Sequence, residues 1–127
     1  MDSNQDTVLI ADDNPGVRRV LERCLADGRR VLTAEDGESA LAMAREHLPD
    51  LIILDVRMPG RDGHEVCAEL RGAEATRGIP ILMLTGLGEH EAAYLSIGSA
   101  ADAWLSKPFN TNDLEARVRA LLGRGNA

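Results

Sequence analysis

Five short apolar runs punctuate the chain: Thr7 to Ala11, Arg30 to Ala34, Asp50 to Leu54, Pro80 to Leu84 and Asp102 to Leu105. Three of them, TVLIA, DLIIL and PILML, are almost continuous in apolar residues with little alternation, the pattern of parallel strands buried on both faces. DAWL is shorter and more polar and is expected at a sheet edge. Between the runs, apolar residues recur at helical spacing. The first helical segment opens at Asn14-Pro15, a capping residue followed by a proline whose missing N–H is tolerated in the first turn. Its apolar side runs through Val17, Val20, Leu21, Cys24 and Leu25, and Gly28 stops it. A second segment starts near Asp36 and carries Ala40, Leu41 and Ala44; a third follows Asp62-Gly63 with Val66, Cys67 and Leu70 and ends at Gly72. A fourth lies near Glu89 to Ile97, and a fifth starts at Asn110, turns Leu114, Val118, Leu121 and Leu122 inward and stops at Gly123.

Strand followed by helix, five times over, predicts an α/β fold: a doubly wound, five-stranded parallel sheet with five helices on its two faces and right-handed crossovers. A length of 127 residues suits one domain, with its core over about residues 7–122 and residues 123–127 as a tail or linker. At 44% hydrophobic and 28% charged, the composition is that of a globular chain. No apolar run approaches the ~20 residues that span a bilayer, and the polar stretch Met1 to Thr7 lacks the basic and apolar regions of a signal peptide, so a cytoplasmic location is expected. Cys24 and Cys67 are too few for a disulfide framework and are expected as reduced thiols.

Charge narrows the partners. The net charge of −7 repels both a nucleic-acid backbone and an anionic membrane surface, so neither is expected to bind this chain directly. Every basic residue is arginine except Lys107, and a solitary lysine suggests a site that needs a compact, flexible point charge. In open α/β sheets ligands bind beyond the carboxyl ends of the strands. There the chain places Asp12-Asp13 after the first run, Asp55 after the third, Thr85 after the fourth and Lys107 after the fifth. Each residue alone has a plain structural use, since acids after a strand cap helices and a strand-end threonine is usually structural. Together they describe a pocket.

Three carboxylates ~5 Å apart repel by roughly 3 kcal/mol per pair at an effective dielectric near 20, so positive charge must compensate. A hard divalent cation such as Mg²⁺ does so while leaving room for phosphate oxygens, and Lys107 adds a second positive centre. No histidine or cysteine accompanies the acids at metal-ligand spacing, which argues against zinc. A carboxylate, a hydroxyl, an ammonium and Mg²⁺ suit phosphoryl transfer to an aspartate nucleophile.

With these residues in place the sequence resembles the receiver domain of two-component response regulators, over Val8 to Leu122. The resemblance rests on LIADDNP, ILDVRMPGRDG, MLTG and ADAWLSKPF, in family order. It implies a flavodoxin-like sheet of order 2-1-3-4-5. It also implies that Asp55 is the phosphoacceptor, taking its phosphoryl group from phosphohistidine on a sensor histidine kinase or a histidine phosphotransfer protein. Asp13 and Asp55 would ligate Mg²⁺ directly with the backbone carbonyl of Arg57, and Asp12 through water. Thr85 and Lys107 would hold phosphoryl oxygens, and Met58, Pro59 and Gly63 would shape the acceptor loop. Lys107-Pro108 falls where the family commonly has a cis bond.

Phosphorylation adds about −1.5 to −2 of charge, which can draw Thr85 and Lys107 inward. In the family this movement couples to an aromatic residue on the fifth strand; Trp104 stands there, where Tyr or Phe is more usual. The downstream partner is an effector protein or an output domain. The last helix, LEARVRALL, with Asp102, Arg117 and Arg119, is compatible with a weak phosphorylation-dependent homodimer, although an amphipathic cover with solvated arginines is the preferred reading. His47, His64 and His90 are expected as solvated surface residues, Tyr94 on the fourth helical segment, and Arg18 and Arg19 on a solvated helix face.

The expected function is a self-phosphorylating switch and not a metabolic enzyme. One alternative is an aspartate-nucleophile phosphatase, disfavoured because the DxD signature after the first strand and an inserted cap are absent. Another is a receiver-like interaction module that is never phosphorylated, disfavoured by the intact set Asp13, Asp55, Thr85 and Lys107. Arg57, two residues after the acceptor, is placed to approach the phosphoryl group or to hinder attacking water. Its replacement in Arg57→Ala is therefore expected to change the aspartyl-phosphate lifetime, measured by loss of label after the donor is removed; an unchanged lifetime overturns that role.

Overall fold

A computed structural model describes residues 5–86 and 101–125. Its elements in chain order are β1 (Asp6–Ala11), α1 (Pro15–Leu25), β2 (Arg29–Ala34), α2 (Gly37–His47), β3 (Leu51–Asp55), α3 (Gly63–Gly72), β4 (Ile81–Thr85), β5 (Ala103–Ser106) and α4 (Thr111–Gly125). The fourth helical segment expected from the sequence, with His90 and Tyr94, lies outside the described residues. All five strands run parallel in the order β2-β1-β3-β4-β5, with β5 at an edge as its polarity predicts.

Each helix starts where a short polar side chain can take up the orphan amides of its first turn. The Asn14 side chain accepts from the amides of Gly16 (2.8 Å) and Val17 (3.2 Å), and Asp36 accepts from Ser39 (2.7 Å). Asp62 and Glu65 satisfy one another's backbone amides in a reciprocal capping box at 2.9 and 3.1 Å. Asn110 accepts from Asn112 at 2.7 Å.

Alternation along the strands divides the core into two layers. Leu9, Ala11, Ile52, Leu54, Ile81 and Met83 face α2 and α3, and Trp104 packs against the same layer. Val8, Ile10, Leu51, Ile53, Leu82, Leu84 and Leu105 face α1 and α4. β3 and β4 are buried at every position, which is why their sequences read as unbroken apolar runs.

Three details depart from the sequence reading. Val20, placed on the inward side of α1, is 45% exposed, because Leu21 and Leu25 turn to the sheet and rotate it outward. The last helix runs through Gly125, two residues beyond the stop expected at Gly123, so residues 123–125 are helical rather than tail. His64 is half-buried, with its Nδ1 enclosed and unpartnered, where a solvated surface position was expected. In addition, Asp102 is tied within the chain: it accepts from the Ile81 amide at 2.8 Å and from Arg71 at 2.7 Å. Arg119 pairs with Glu115, which also holds Arg29, each at 2.8 Å.

Two glycines set how closely the loops approach. A Cβ at Gly37 would overlap the Arg61 carbonyl and side chain. One at Gly63 would overlap the Asp55 carbonyl oxygen and stand 3.0 Å from Met83 Sδ and Val56 Cα. Gly63→Ala is therefore expected to destabilise the fold by about 1–3 kcal/mol through overpacking against backbone, read as a lower urea midpoint with an unchanged slope.

Candidate functional site

Strand register brings the acids together. Ala11 pairs with Leu54, so the next step past the ends of β1 and β3 sets Asp12 beside Asp55. The continuation is hydrogen-bonded, with Asp12 N–H donating to the Ala34 carbonyl (3.1 Å) and Val56 N–H to Leu84 (3.0 Å). Asp12 and Asp55 are both buried, while Asp13 is exposed. One carboxylate oxygen from each of the three lies within 4.8 Å of the others.

Lys107 closes this cluster from β5. Its Nζ donates to Asp12 Oδ2 at 2.9 Å and to Asp55 Oδ1 at 3.1 Å. Its own backbone N–H donates to the Thr85 carbonyl, and the following Lys107-Pro108 bond is cis, as expected. Burial works against the charge on Lys107, but the hydrogen bonds to Asp12 and Asp55 outweigh it and raise its pKa.

Asp55 is pushed the other way. Burial, joined by the Asp12 charge, raises its pKa to about 6, and the Lys107 ammonium only partly offsets them. A desolvated carboxylate with an oxygen facing an ammonium suits an electrophile that brings its own compensating charge.

Asp12 is held at every polar atom. Its Oδ1 accepts from the Asn14 amide (2.9 Å), its Oδ2 takes Lys107, and its carbonyl accepts from Arg18 Nη1 at 2.7 Å. Arg18 therefore does not lie on a purely solvated face, and the link depends on how α1 approaches the strand end, which local sequence does not specify. The β3–α3 loop is pinned likewise. Gly63 N–H donates to Val56 (2.8 Å), Met58 is buried, and Arg61 pairs with Glu38 of α2 (3.0 Å) and with Glu69 of α3.

Thr85 stands apart from the acids. By alternation it shares the face of Ile81 and Met83, not that of Asp55, and its Oγ1 is buried without a hydrogen-bond partner. Trp104 lies on the same face, its ring 5.9 Å from that of His64 and tilted by 44°. The arrangement thus joins Asp12, Asp13, Asp55 and Lys107, with Arg57 exposed on the adjoining loop, while alternation sets Thr85 at the same sheet edge but on the face that carries Trp104.

The donor set fits a hard cation. All candidate ligand atoms are oxygens, two of the acids are buried, and no histidine or cysteine joins the cluster among the described residues. No helix among those residues is long and apolar enough to cross a membrane. Both cysteines are free, Cys67 buried and Cys24 half-buried.

Comparison with known proteins agrees with this geometry. A family model described as "Response regulator receiver domain" matches residues 8–119. The "Probable transcriptional regulator ycf27" of Porphyra purpurea is 41% identical over 127 residues, covering 99% of this chain and 51% of that protein. The "Transcriptional regulatory protein AfsQ1" of Streptomyces coelicolor is 41% identical over 120 residues, covering 94% and 52% respectively. The chain thus spans about half the length of the curated relatives it matches. Among solved structures, a putative response regulator from Chloroflexus aurantiacus superposes with a TM-score of 0.88 at 38% identity, covering 94% of this chain and 99% of that one. The chemotaxis protein CheY4 of Vibrio cholerae gives 0.80 at 35% identity, covering 92% and 98%.

The raised pKa of Asp55 has a measurable consequence. From the ordinary value of 3.8 to about 6, the folded chain holds a proton that the unfolded chain has released, so stability falls as pH rises through this window. Above it the charged carboxylate costs the folded state about 3 kcal/mol. In metal-free solution Asp55→Asn is expected to exceed wild type in stability by about 2–3 kcal/mol at neutral pH, with the gap closing toward about pH 4, measured by urea unfolding across pH.

Proposed function

The chain belongs to the response regulator receiver domain family of two-component signalling, and on that premise we propose that Asp55 is the residue at which it receives a phosphoryl group. An Asp55 carboxylate oxygen attacks the phosphorus of a phosphohistidine on a sensor kinase or phosphotransfer protein, the P–N bond breaks, and the imidazole leaves with its electron pair. The product is an acyl phosphate on Asp55. The observation that carries this reading is the buried Asp55 oxygen facing Lys107 Nζ at 3.1 Å beside two further acids.

Asp12, Asp13 and Asp55, with the Arg57 carbonyl, are the residues that would hold Mg²⁺. Bound there, the ion neutralises phosphoryl oxygens as they approach the acids. The remaining roles fall to the chain itself. Asp12, fixed at every polar atom, keeps the cluster from spreading under its own repulsion. Lys107 transfers one of its hydrogen bonds from Asp55 to a phosphoryl oxygen, and Thr85, whose hydroxyl lacks a partner, supplies a second donor. Withdrawal of Thr85 from its present face moves the β4–β5 edge and remodels the surface that partners read.

In this reading the domain is a cytoplasmic switch that catalyses its own modification and turns over no metabolite. A chain of net charge −7 does not contact DNA itself. Relatives named transcriptional regulators are about twice its length, so an output would act through the part of such proteins that this chain does not cover, or through a separate effector. With Asp102 and Arg119 engaged within the chain, the solvated-cover role of α4 is favoured over a dimer built on those charges.

Incubation with Mg²⁺ and a small phosphodonor is expected to add one phosphoryl group to wild type by intact mass, and none to Asp55→Asn or to wild type held in chelator. Steady turnover of diverse phosphate esters would instead establish the phosphatase reading, and an unmodified wild type the interaction-module reading.

A further inference from the structure

Among the described residues two buried side-chain polar atoms lack a hydrogen-bond partner, Thr85 Oγ1 and His64 Nδ1. Trp104 is a neighbour of both. Met83 pairs in register with Trp104, and Thr85 with Ser106, so Thr85 and Trp104 are diagonal neighbours on one face of the β4–β5 pair. The indole also meets the His64 imidazole, 5.9 Å away centre to centre at 44°. His64 is itself rigidly placed. It follows Gly63, whose amide is bonded to Val56 and whose Cα is wedged against the Asp55 carbonyl, at the start of a helix with a complete capping box.

We infer that His64 is a positioning residue for Trp104: its imidazole holds the indole in the resting arrangement and so sets how readily Thr85 is drawn toward a phosphorylated Asp55. The inference rests on the reading of Asp55 as phosphoacceptor. The Thr85 carbonyl is bonded to the Lys107 amide, so any backbone shift at Thr85 is carried to the end of β5, while a turn of its side chain changes the space beside Trp104. Trp104, on the short strand that ends just before Lys107 and diagonal to Thr85, adjusts to that change against His64. The tilted ring pair favours the resting state, while the two unpartnered buried atoms disfavour it, since each forfeits a hydrogen bond it could make elsewhere. Opposing contributions of this kind leave a two-state equilibrium close enough to balance for one ligand to tip it.

Trp104 is the sole tryptophan of the chain, so 5-fluorotryptophan labelling gives a single ¹⁹F resonance that follows it. The protein is titrated with beryllofluoride, a phosphoryl mimic, in the presence of Mg²⁺. Wild type is expected to move from a resting to a saturated resonance. In His64→Ala the free resonance should lie nearer that variant's own saturated position, and the half-saturating beryllofluoride concentration should fall about two- to ten-fold, the range expected for loss of one aromatic pair. His64→Phe, which keeps a ring, should restore the wild-type value. Should His64→Ala fail to fold, His64→Leu, which fills the space without a ring, is expected to shift in the same direction. A purely structural role predicts the opposite sign, because a loosened fold binds the mimic more weakly. An unchanged or raised half-saturation in the folded variant overturns the inference while leaving the phosphoacceptor reading intact. A wild type that takes neither the mimic nor a phosphoryl group on Asp55 overturns both.

Discussion

The bridge from Lys107 to Asp12 and Asp55 is the interaction on which the rest depends. Two buried carboxylates and a third beside them repel one another at one sheet edge, and the ammonium of Lys107 bridges the two buried ones. It is an incomplete compensation, since Asp55 still titrates near 6. Burial and the Asp12 charge together leave the pocket short of positive charge, and the proposed Mg²⁺ and phosphoryl roles rest on that property. A lysine suits this position because its compact ammonium on a flexible stem fits between two buried carboxylates and can be redirected, where the larger planar guanidinium demands a wider, fixed approach.

Much of the surrounding structure holds this charge cluster in place. The register of β1 on β3 sets Asp12 beside Asp55, Arg18 and Asn14 fix the acidic turn, and close packing at Gly37 and Gly63 draws the acceptor loop onto α2 and the end of β3. The Arg61 ion pairs with Glu38 and Glu69 are partly exposed and add less than that packing does. The acid cluster is tightly held, while on the other face Thr85 and His64 keep unsatisfied polar atoms, a contrast on which the proposed division between a receiving and a responding part rests. By alternation Asp55 and Thr85 start on opposite faces of neighbouring strands, yet both stand at the carboxyl edge of the sheet.

The architecture was legible because parallel strands buried on both faces must be apolar at every position, and the helices between them must begin on residues that can cap them. Asn14, Asp36, Asp62 and Asn110 each mark a helix start correctly for that reason. Boundaries that depend on rotation or on weak stop signals were less legible. Val20 fits a helical apolar stripe yet faces outward, and Gly123 carries no partner-dependent signal that ends α4. Family membership was likewise readable from LIADDNP, ILDVRMPGRDG, MLTG and ADAWLSKPF, and the family match over residues 8–119 and the solved structures agree with it.

By itself the sequence determined the fold class, the strand ends at which polar chemistry gathers, and the identity of Asp12, Asp13, Asp55, Thr85 and Lys107 as the residues there, because each follows from local periodicity and from the rule that parallel strands present their carboxyl ends together. Only the tertiary structure decided which of them meet. Strand register joins Lys107 to two acids and side-chain parity starts Thr85 on the other face from Asp55, while the approach of α1 to its own strand end brings Arg18 to the Asp12 carbonyl and packing of α3 on β5 brings His64 to Trp104. Those contacts join residues from 6 to 95 positions apart, and no local pattern encodes a distance across a sheet.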